Sequence, residues 1–185
     1  MARTVFNHRG LVKGSQAVAN EKAIYPGMIV TFKYVKEGTS DKLPMILVLW
    51  NDVYRDLFHG LNLNYLSSNK MDILFEQLTK GVPSAGGANP FRIENQSKDT
   101  YDDKLPYRNM LKKPYTRMKL PTYREIRKNN PLSKSEAEKQ MNFLYEKILK
   151  RFLNRGKDYQ VYRSYDLKKV KTLRVLELDL TKIMH

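Results

Sequence analysis

The fold is decided by two neighbouring stretches, Pro26-Gly-Met-Ile-Val-Thr-Phe-Lys-Tyr-Val35 and Leu43-Pro-Met-Ile-Leu-Val-Leu-Trp50. The first opens with a Pro-Gly turn signal and then alternates, which is typical of a strand with one clearly apolar face. The second is apolar on both faces, which predicts a central buried strand with Pro44 confined to its start. Residues 37–42 between them have the composition of a hairpin turn.

Further strands are predicted on both sides of the chain's middle. A turn at Asn51-Asp52 precedes a strand over Val53–Phe58, and residues 60–66 alternate leucine and tyrosine against asparagine. Four short strands joined by tight turns predict a small antiparallel meander or barrel. Two more strands, at residues 159–165 and 170–180, supply core residues near the end of the chain. We therefore expect an α+β fold with a small antiparallel β-barrel, split between residues 25–66 and 157–182, because C-terminal strands would cover the edges of an isolated meander.

The segment between the two barrel portions, residues 67–156, is predicted to be a helical and irregular insertion. Ser67 or Ser68 can cap a helix that Gly81 ends, with Met71, Leu74, Phe75 and Leu78 as its apolar stripe. A second helix is predicted from about Ser133 to Asn154. Residues 1–24 are polar and without sustained periodicity, so we expect an extended N-terminal arm that orders against a partner.

Positive charge is concentrated in one part of the insertion. The 185 residues carry a formal charge of +15, and the stretch from Lys104 to Lys128 contributes nine basic residues against the single Glu125. Three prolines break this basic ribbon into short extended pieces. Its cations can neutralise phosphates while its tyrosines stack on bases, or the whole ribbon can meet an acidic protein surface. The predicted contact residues are Lys104, Arg108, Lys112, Lys113, Tyr115, Arg117, Lys119, Tyr123, Arg124, Arg127 and Lys128. In the alternative interpretation, the ribbon is a solvated connection whose tyrosines fold back onto the body.

Composition excludes several classes of protein. The chain has no cysteine, which rules out disulfide-stapled scaffolds, thiolate zinc sites and cysteine nucleophiles. A hydrophobic content of 41% is too high for a disordered polycation. The longest apolar run, Met45–Trp50, is much shorter than a membrane span, and the N-terminus lacks the apolar core of a signal peptide. We expect no membrane partner and no export through a signal peptide.

Residues able to support catalysis are sparse. The three histidines, His8, His59 and His185, lie far apart in the sequence, so neither a metal cluster nor a catalytic triad is indicated. His59 could serve as a base, but we favour a polar residue beside a turn. Asp102-Asp103 with Glu125 could supply the acids of a metal-dependent nuclease next to the ribbon. Their spacing matches no known motif, and we expect no enzyme activity, no metal and no cofactor.

Four segments carry a resemblance to a known group of proteins. They are Pro26–Tyr34, Leu43–Leu49, Gly60-Leu-Asn-Leu-Asn-Tyr-Leu66 and Tyr162-Arg-Ser-Tyr165. This pattern resembles small virion-associated proteins of large tailed bacteriophages, in which a Pro-Gly turn opens an SH3-like barrel. The resemblance covers about 60 of the 185 residues and none of the basic ribbon. It implies that Gly60, Asn62, Tyr65 and Leu66 are barrel-forming positions with no catalytic role.

The resemblance and the charge together predict a function. We expect a non-enzymatic structural or assembly component of a virion, at the head, neck or tail, assembled in the host cytoplasm as part of a larger complex. Its arm and basic insertion would contact other virion proteins or packaged double-stranded DNA. Two alternatives stay open at this point: a free nucleic-acid-binding module that acts through the basic ribbon, and the metal-dependent nuclease.

Overall fold

A computed structural model of the chain describes residues 5–18, 24–35, 41–52, 54–80, 92–96, 115–119 and 161–183. Within these residues the protein is an α+β domain made mostly of antiparallel strands. The strands are β1 (Val12–Ala17), β2 (Ile29–Tyr34), β3 (Met45–Asp52), β4 (Leu57–Asn62), β5 (Arg92–Gln96), β6 (Tyr115–Lys119), β7 (Tyr162–Asp166) and β8 (Val170–Leu178). Helix α1 spans Ser68–Lys80, and short 3₁₀ turns occupy Arg9–Leu11, Leu63–Tyr65, Leu167–Lys169 and Leu180–Lys182.

Six strands form the main sheet in the order β1-β8-β2-β3-β4-β7, and β5 pairs with β6 in a separate ribbon. The predicted closed barrel is not observed, because this sheet is open, with β1 and β7 at its two edges. The 3₁₀ turn Leu167–Lys169 joins β7 to β8, yet these strands pair with different neighbours, β7 with β4 and β8 with β1 and β2. The turn thus joins the edge strand β7 to β8, which lies next to the other edge strand, β1.

The strand pattern of the sequence is largely confirmed at β2, β3, β7 and β8. Residues 45–49 of β3 are all buried, as expected of a strand with neighbours on both sides. The two strands predicted between residues 53 and 66 were wrong in their bounds, because the turn falls at residues 54–56 and one strand, β4, follows. Asn51 and Asp52, predicted as the turn, still pair with β4.

The N-terminal segment differs from the expected arm in one respect: residues 12–17 form the edge strand β1 and pair with β8. The segment before β1 is also attached to the domain. The backbone N–H of Phe6 donates to the carbonyl of Asn64 at 2.7 Å, and the His8 ring Nε2 lies 2.7 Å from the carbonyl oxygen of Leu66. His8 is buried, so the contact belongs to the interior.

Apolar side chains cover both faces of the main sheet. One core cluster contains alternate residues of β3 (Met45, Leu47, Leu49) with Leu176 and Leu178, and α1 packs onto it through Met71, Leu74 and Phe75. The other contains Val30, Phe32, Phe58 and Tyr165. In this second cluster the rings of Phe32, Phe58 and Tyr165 contact one another at centroid distances of 5.2–5.5 Å. Two-sided burial explains why the strands are so rich in apolar residues.

Helix α1 begins where the sequence places its cap. The hydroxyl of Ser67, and not that of Ser68, accepts from the backbone N–H of Lys70 at 3.4 Å. Among the described residues, no helix has the length and apolar character needed to cross a membrane. The second predicted helix, Ser133–Asn154, lies outside the described residues, and the predicted division of the chain at residues 67 and 156 stays a prediction.

Candidate functional site

The described part of the basic ribbon is β6, and it is attached to the main sheet. The backbone N–H of Met118 donates to the carbonyl of Gly27 at 2.7 Å, and Met28 pairs with Arg117 in an isolated bridge. On the β8 side, the N–H of Leu178 donates to the hydroxyl of Thr116 at 2.6 Å. These contacts fix one strand of the insertion against the residues just before β2 and against the last residue of β8.

Glycine is required at the turn that receives β6. Gly27 has a φ of 91°, a backbone conformation that side-chain-bearing residues rarely adopt. A Cβ placed on it would lie 1.9 Å from the carbonyl oxygen of Met118. The N–H of Gly27 donates to the carbonyl of Val48 at 2.7 Å, so this one residue connects β3 and β6. The Pro-Gly signal of the sequence therefore marks a docking point as well as a turn.

Most side chains of β6 whose burial is described lie in the core of the domain, and one lies partly at its surface. Tyr115, Thr116 and Met118 are buried, whereas Arg117 is half-buried. Tyr115 packs in the cluster that contains Phe32 and Tyr165. For this tyrosine the structure matches the interpretation in which the ribbon folds back onto the body, since a ring 4% exposed has little surface left for a base.

Most of the other predicted contact residues lie outside the described ranges. Lys119 is the exception and ends β6. The residues outside these ranges are Lys104, Arg108, Lys112, Lys113, Tyr123, Arg124, Arg127 and Lys128. The partner-binding role of the set stays a prediction.

The motif that carried the family resemblance occupies structural positions. Gly60 lies on β4 opposite Val48, and a Cβ there would approach Ile46 Cγ2 to 2.4 Å and the Leu47 carbonyl oxygen to 2.5 Å. Close packing therefore requires this glycine. Tyr65 and Leu66 are buried in the core, as the sequence indicated.

Asn62 and Asn64 build a buried polar network that the sequence did not reveal. The Asn62 side-chain oxygen accepts from the N–H of Asn64 at 3.1 Å, which shapes the turn after β4. Both side-chain amides donate to the carboxylate of Asp41: Asn62 Nδ2 lies 2.8 Å and Asn64 Nδ2 3.2 Å from its Oδ2. The sequence placed Asp41 in an exposed hairpin turn, but it is 6% exposed. No local signal revealed this network, because asparagines that alternate with leucines predict a polar face turned to solvent.

A cleft of about 690 Å³ opens beside this network. The segment at residues 5–9 lies on one side, and residues of β1, β2, β3 and β8 form the sheet side. Asp41 and Asn64 line it together with the apolar Leu43, Met45 and Leu176. Two arginines, Arg9 and Arg174, also line it, and Arg174 is held by Ser15, whose hydroxyl accepts from Nε at 3.0 Å and whose carbonyl accepts from Nη2 at 3.2 Å. The cleft thus combines a buried carboxylate, an apolar wall and two exposed guanidinium groups.

His8 and His59, the two histidines among the described residues, contact different parts of the fold. His59 faces Ser164 across the β4–β7 pair, with Nδ1 2.7 Å from the serine hydroxyl, and its ring lies over that of Tyr162. These are the contacts of a cross-strand pair on the surface of a sheet. His185 lies outside the described residues.

The acidic residues of the nuclease alternative, Asp102, Asp103 and Glu125, lie outside the described residues. Within the described ranges no three histidine, aspartate or glutamate side chains converge as ligands for a metal ion. The one strongly perturbed titratable group in this part of the chain is Tyr165, whose pKa is raised well above its usual value by burial, with the nearby Arg163 opposing the effect. Its ring packs among Phe32, Tyr34 and Phe58, which gives it a place in the core.

Comparison of the chain with protein-family models, with curated proteins and with solved structures found no match.

Proposed function

We propose that this chain is a non-enzymatic structural or assembly component of a tailed-phage virion, at the head, neck or tail, which uses its basic insertion to contact neighbouring subunits or packaged DNA. The observation that carries the proposal is the attachment of β6: Met118 bonds to Gly27, and Thr116 bonds to Leu178. A strand bonded both to Gly27 and to Leu178 ties residues 115–119 of the basic ribbon to the domain. That is what a scaffold needs in order to hold a charged element against a large partner.

The motif that resembles those of phage proteins supports the same role. In this chain Gly60 allows close strand packing, Asn62 orders the turn after β4, and Tyr65 and Leu66 fill the core. These functions are architectural. The strand order β8-β2-β3-β4-β7, with a three-residue 3₁₀ turn between β7 and β8, supports the finer proposal that the domain is a variant of an SH3-like barrel with β1 added at one edge.

The proposal is tested by looking for the chain in particles. Phage particles are banded from lysates of the native host, washed at high salt, and probed with an antibody raised against the purified chain. Cross-linking of the intact particles followed by mass spectrometry then identifies its neighbours. We expect the chain to co-purify with particles at a constant ratio to the other virion proteins, with cross-links from residues 1–24 and 82–130. Its absence from washed particles would show that the proposal is wrong.

The high charge of the insertion supports one alternative, a free nucleic-acid-binding module. A salt titration of binding to a 30-base-pair duplex separates the two. Replacing Lys112, Lys113, Arg124 and Arg127 by glutamine should weaken binding and flatten the dependence of log K on log salt by about 0.9 for each phosphate that the variant no longer neutralises. The matched control replaces four exposed lysines of the sheet domain, Lys33, Lys42, Lys169 and Lys171. Equal weakening in the two variants would mean that net charge, and not the insertion, drives binding.

A further inference from the structure

The cleft beside residues 5–9 contains a carboxylate that no cation neutralises within the described part of the chain. Asp41 is 6% exposed, and its bonds come from the uncharged amides of Asn62 and Asn64. Ion pairs that the structure shows among the described residues, such as Lys13 with Glu177, Lys168 with Asp56 and Lys182 with Asp179, do not include Asp41. A buried negative charge that is bonded only by amides is costly to maintain, and a cation brought to it would be attracted strongly in a medium of low dielectric constant.

The carboxylate also has capacity for another donor. The shorter bonds, at 2.8 and 3.2 Å, both reach Oδ2, whereas Oδ1 accepts from Asn64 alone at 3.3 Å. An ionised carboxylate offers about four lone-pair positions. A guanidinium or ammonium group can therefore bond to Oδ1 without displacing either asparagine.

The other residues that line the cleft limit which kind of ligand can bring a cationic group to Asp41. Leu43, Met45 and Leu176 provide an apolar wall suited to the aliphatic stem of a long side chain. Arg9 and Arg174 put positive charge on the same cleft, which disfavours a segment with several basic residues and favours one with an acidic neighbour. The volume of about 690 Å³ lies within the range of ligand pockets and exceeds the needs of one side chain.

We propose that this cleft binds one arginine or lysine side chain of an extended polypeptide segment from a partner protein, with the basic group on Asp41 and an acidic residue of the segment at Arg9 and Arg174. The site is defined by its own residues and does not rest on the virion role or on the basic insertion. It adds to the domain a peptide-recognition site whose buried carboxylate takes a basic group, whereas the cations of the ribbon would take an acidic partner.

The test uses the full chain, labelled with ¹⁵N, and three blocked peptides. The probe is acetyl-Ser-Leu-Arg-Leu-Glu-Ser-amide; the second peptide replaces its arginine by citrulline, which keeps the shape but has no charge, and the third replaces its glutamate by glutamine. We expect saturable amide shifts at residues 41–43, 45 and 174–176 with the arginine peptide. Binding should be at least about tenfold weaker with the citrulline peptide and weaker by a smaller factor with the glutamine peptide.

Two variants and one control localise the effect. Asp41→Asn removes the charge, and should abolish the preference for arginine over citrulline. Leu43→Arg adds a cation at a position that is 45% exposed, so it can block the cleft without burying a new group. Asp72→Asn, on α1, is the control and should bind as the wild type does.

The proposal is overturned if the arginine and citrulline peptides bind equally, if no peptide gives saturable shifts, or if Leu43→Arg leaves binding unchanged. If Asp41→Asn does not fold, the Leu43→Arg result decides. Because absence of the chain from particles would leave the peptide titration untouched, the two proposals fail separately.

Discussion

Replacing Gly27 by alanine tests the attachment of β6 most directly. The residue has a φ of 91°, and the left-handed region costs a non-glycine residue about 1–2 kcal/mol. The new Cβ would lie 1.9 Å from the carbonyl oxygen of Met118, which is backbone and cannot rotate away. Overpacking of this kind costs a further about 1–3 kcal/mol. We therefore expect the free energy of unfolding to fall by about 2–5 kcal/mol.

Urea denaturation followed by circular dichroism measures this change. With an m-value of about 2 kcal/mol per molar urea, the midpoint should fall by about 1–2.5 M. Gly10→Ala is the matched control, because a Cβ at Gly10 meets no atom within 4 Å, and it should change stability by less than about 0.5 kcal/mol. Hydrogen exchange at the amide of Met118 should become faster in Gly27→Ala alone, since this amide donates to the Gly27 carbonyl. If both variants unfold at the same midpoint, the docking of β6 at Gly27 does not stabilise the domain and the argument fails.

Three further predictions follow from single residues. Burial raises the pKa of the Tyr165 hydroxyl in the folded state, so the unfolded chain loses the phenolic proton at lower pH than the folded chain does. The free energy of unfolding should therefore decline by up to about 1.4 kcal/mol per pH unit above pH 10. Tyr165→Phe should lack that part of the decline when unfolding midpoints are compared between pH 8 and 11. His8→Ala removes the ring contact with the Leu66 carbonyl and should lower the free energy of unfolding, measured by urea denaturation, by about 1–3 kcal/mol. The control Lys13→Ala changes an exposed side chain and should lower it by less than about 0.5 kcal/mol. Equal effects of the two substitutions would contradict a stabilising contact at His8. Ser67→Ala should lower the thermal midpoint by the equivalent of about 0.5–1 kcal/mol while Ser68→Ala should not, and the reverse order would assign the cap of α1 to Ser68.

The sequence predicted strands whose residues alternate or are continuously apolar, and missed β1 and the paired strands β5 and β6, whose formation depends on their partners. β2, β3 and β8 have strong patterns, and their bounds were close. β1, with Lys13, Gly14 and Gln16, has low strand propensity and forms because β8 offers it an unpaired edge. No local pattern contains that information, since residues 12 and 178 are brought together only by the completed sheet.

The cleft was missed for a related reason. Asp41 lies in residues 37–42, whose turn-like composition predicts exposure, and only the fold brings it to the two asparagines at residues 62 and 64. The asparagines alternate with leucines, which predicts a polar face turned to solvent, so neither their burial nor their acceptor was predictable from the sequence. Buried polar networks in general join residues distant in sequence, and one member often appears ordinary when taken alone.

The position of β6 changes how the charge of the chain should be understood. The ribbon from 104 to 128 is the most basic part of the sequence, yet its described portion contributes Tyr115 and Met118 to the two core clusters. Thr116 and Met118 make the contacts to the sheet, and both are neutral and fully buried. Attachment thus uses hydrogen bonds and apolar surface, while no ion pair among the described residues includes Arg117. Among the described residues, the contacts that hold β6 in place therefore involve backbone groups, the Thr116 hydroxyl and apolar side chains, and no charged group of the ribbon.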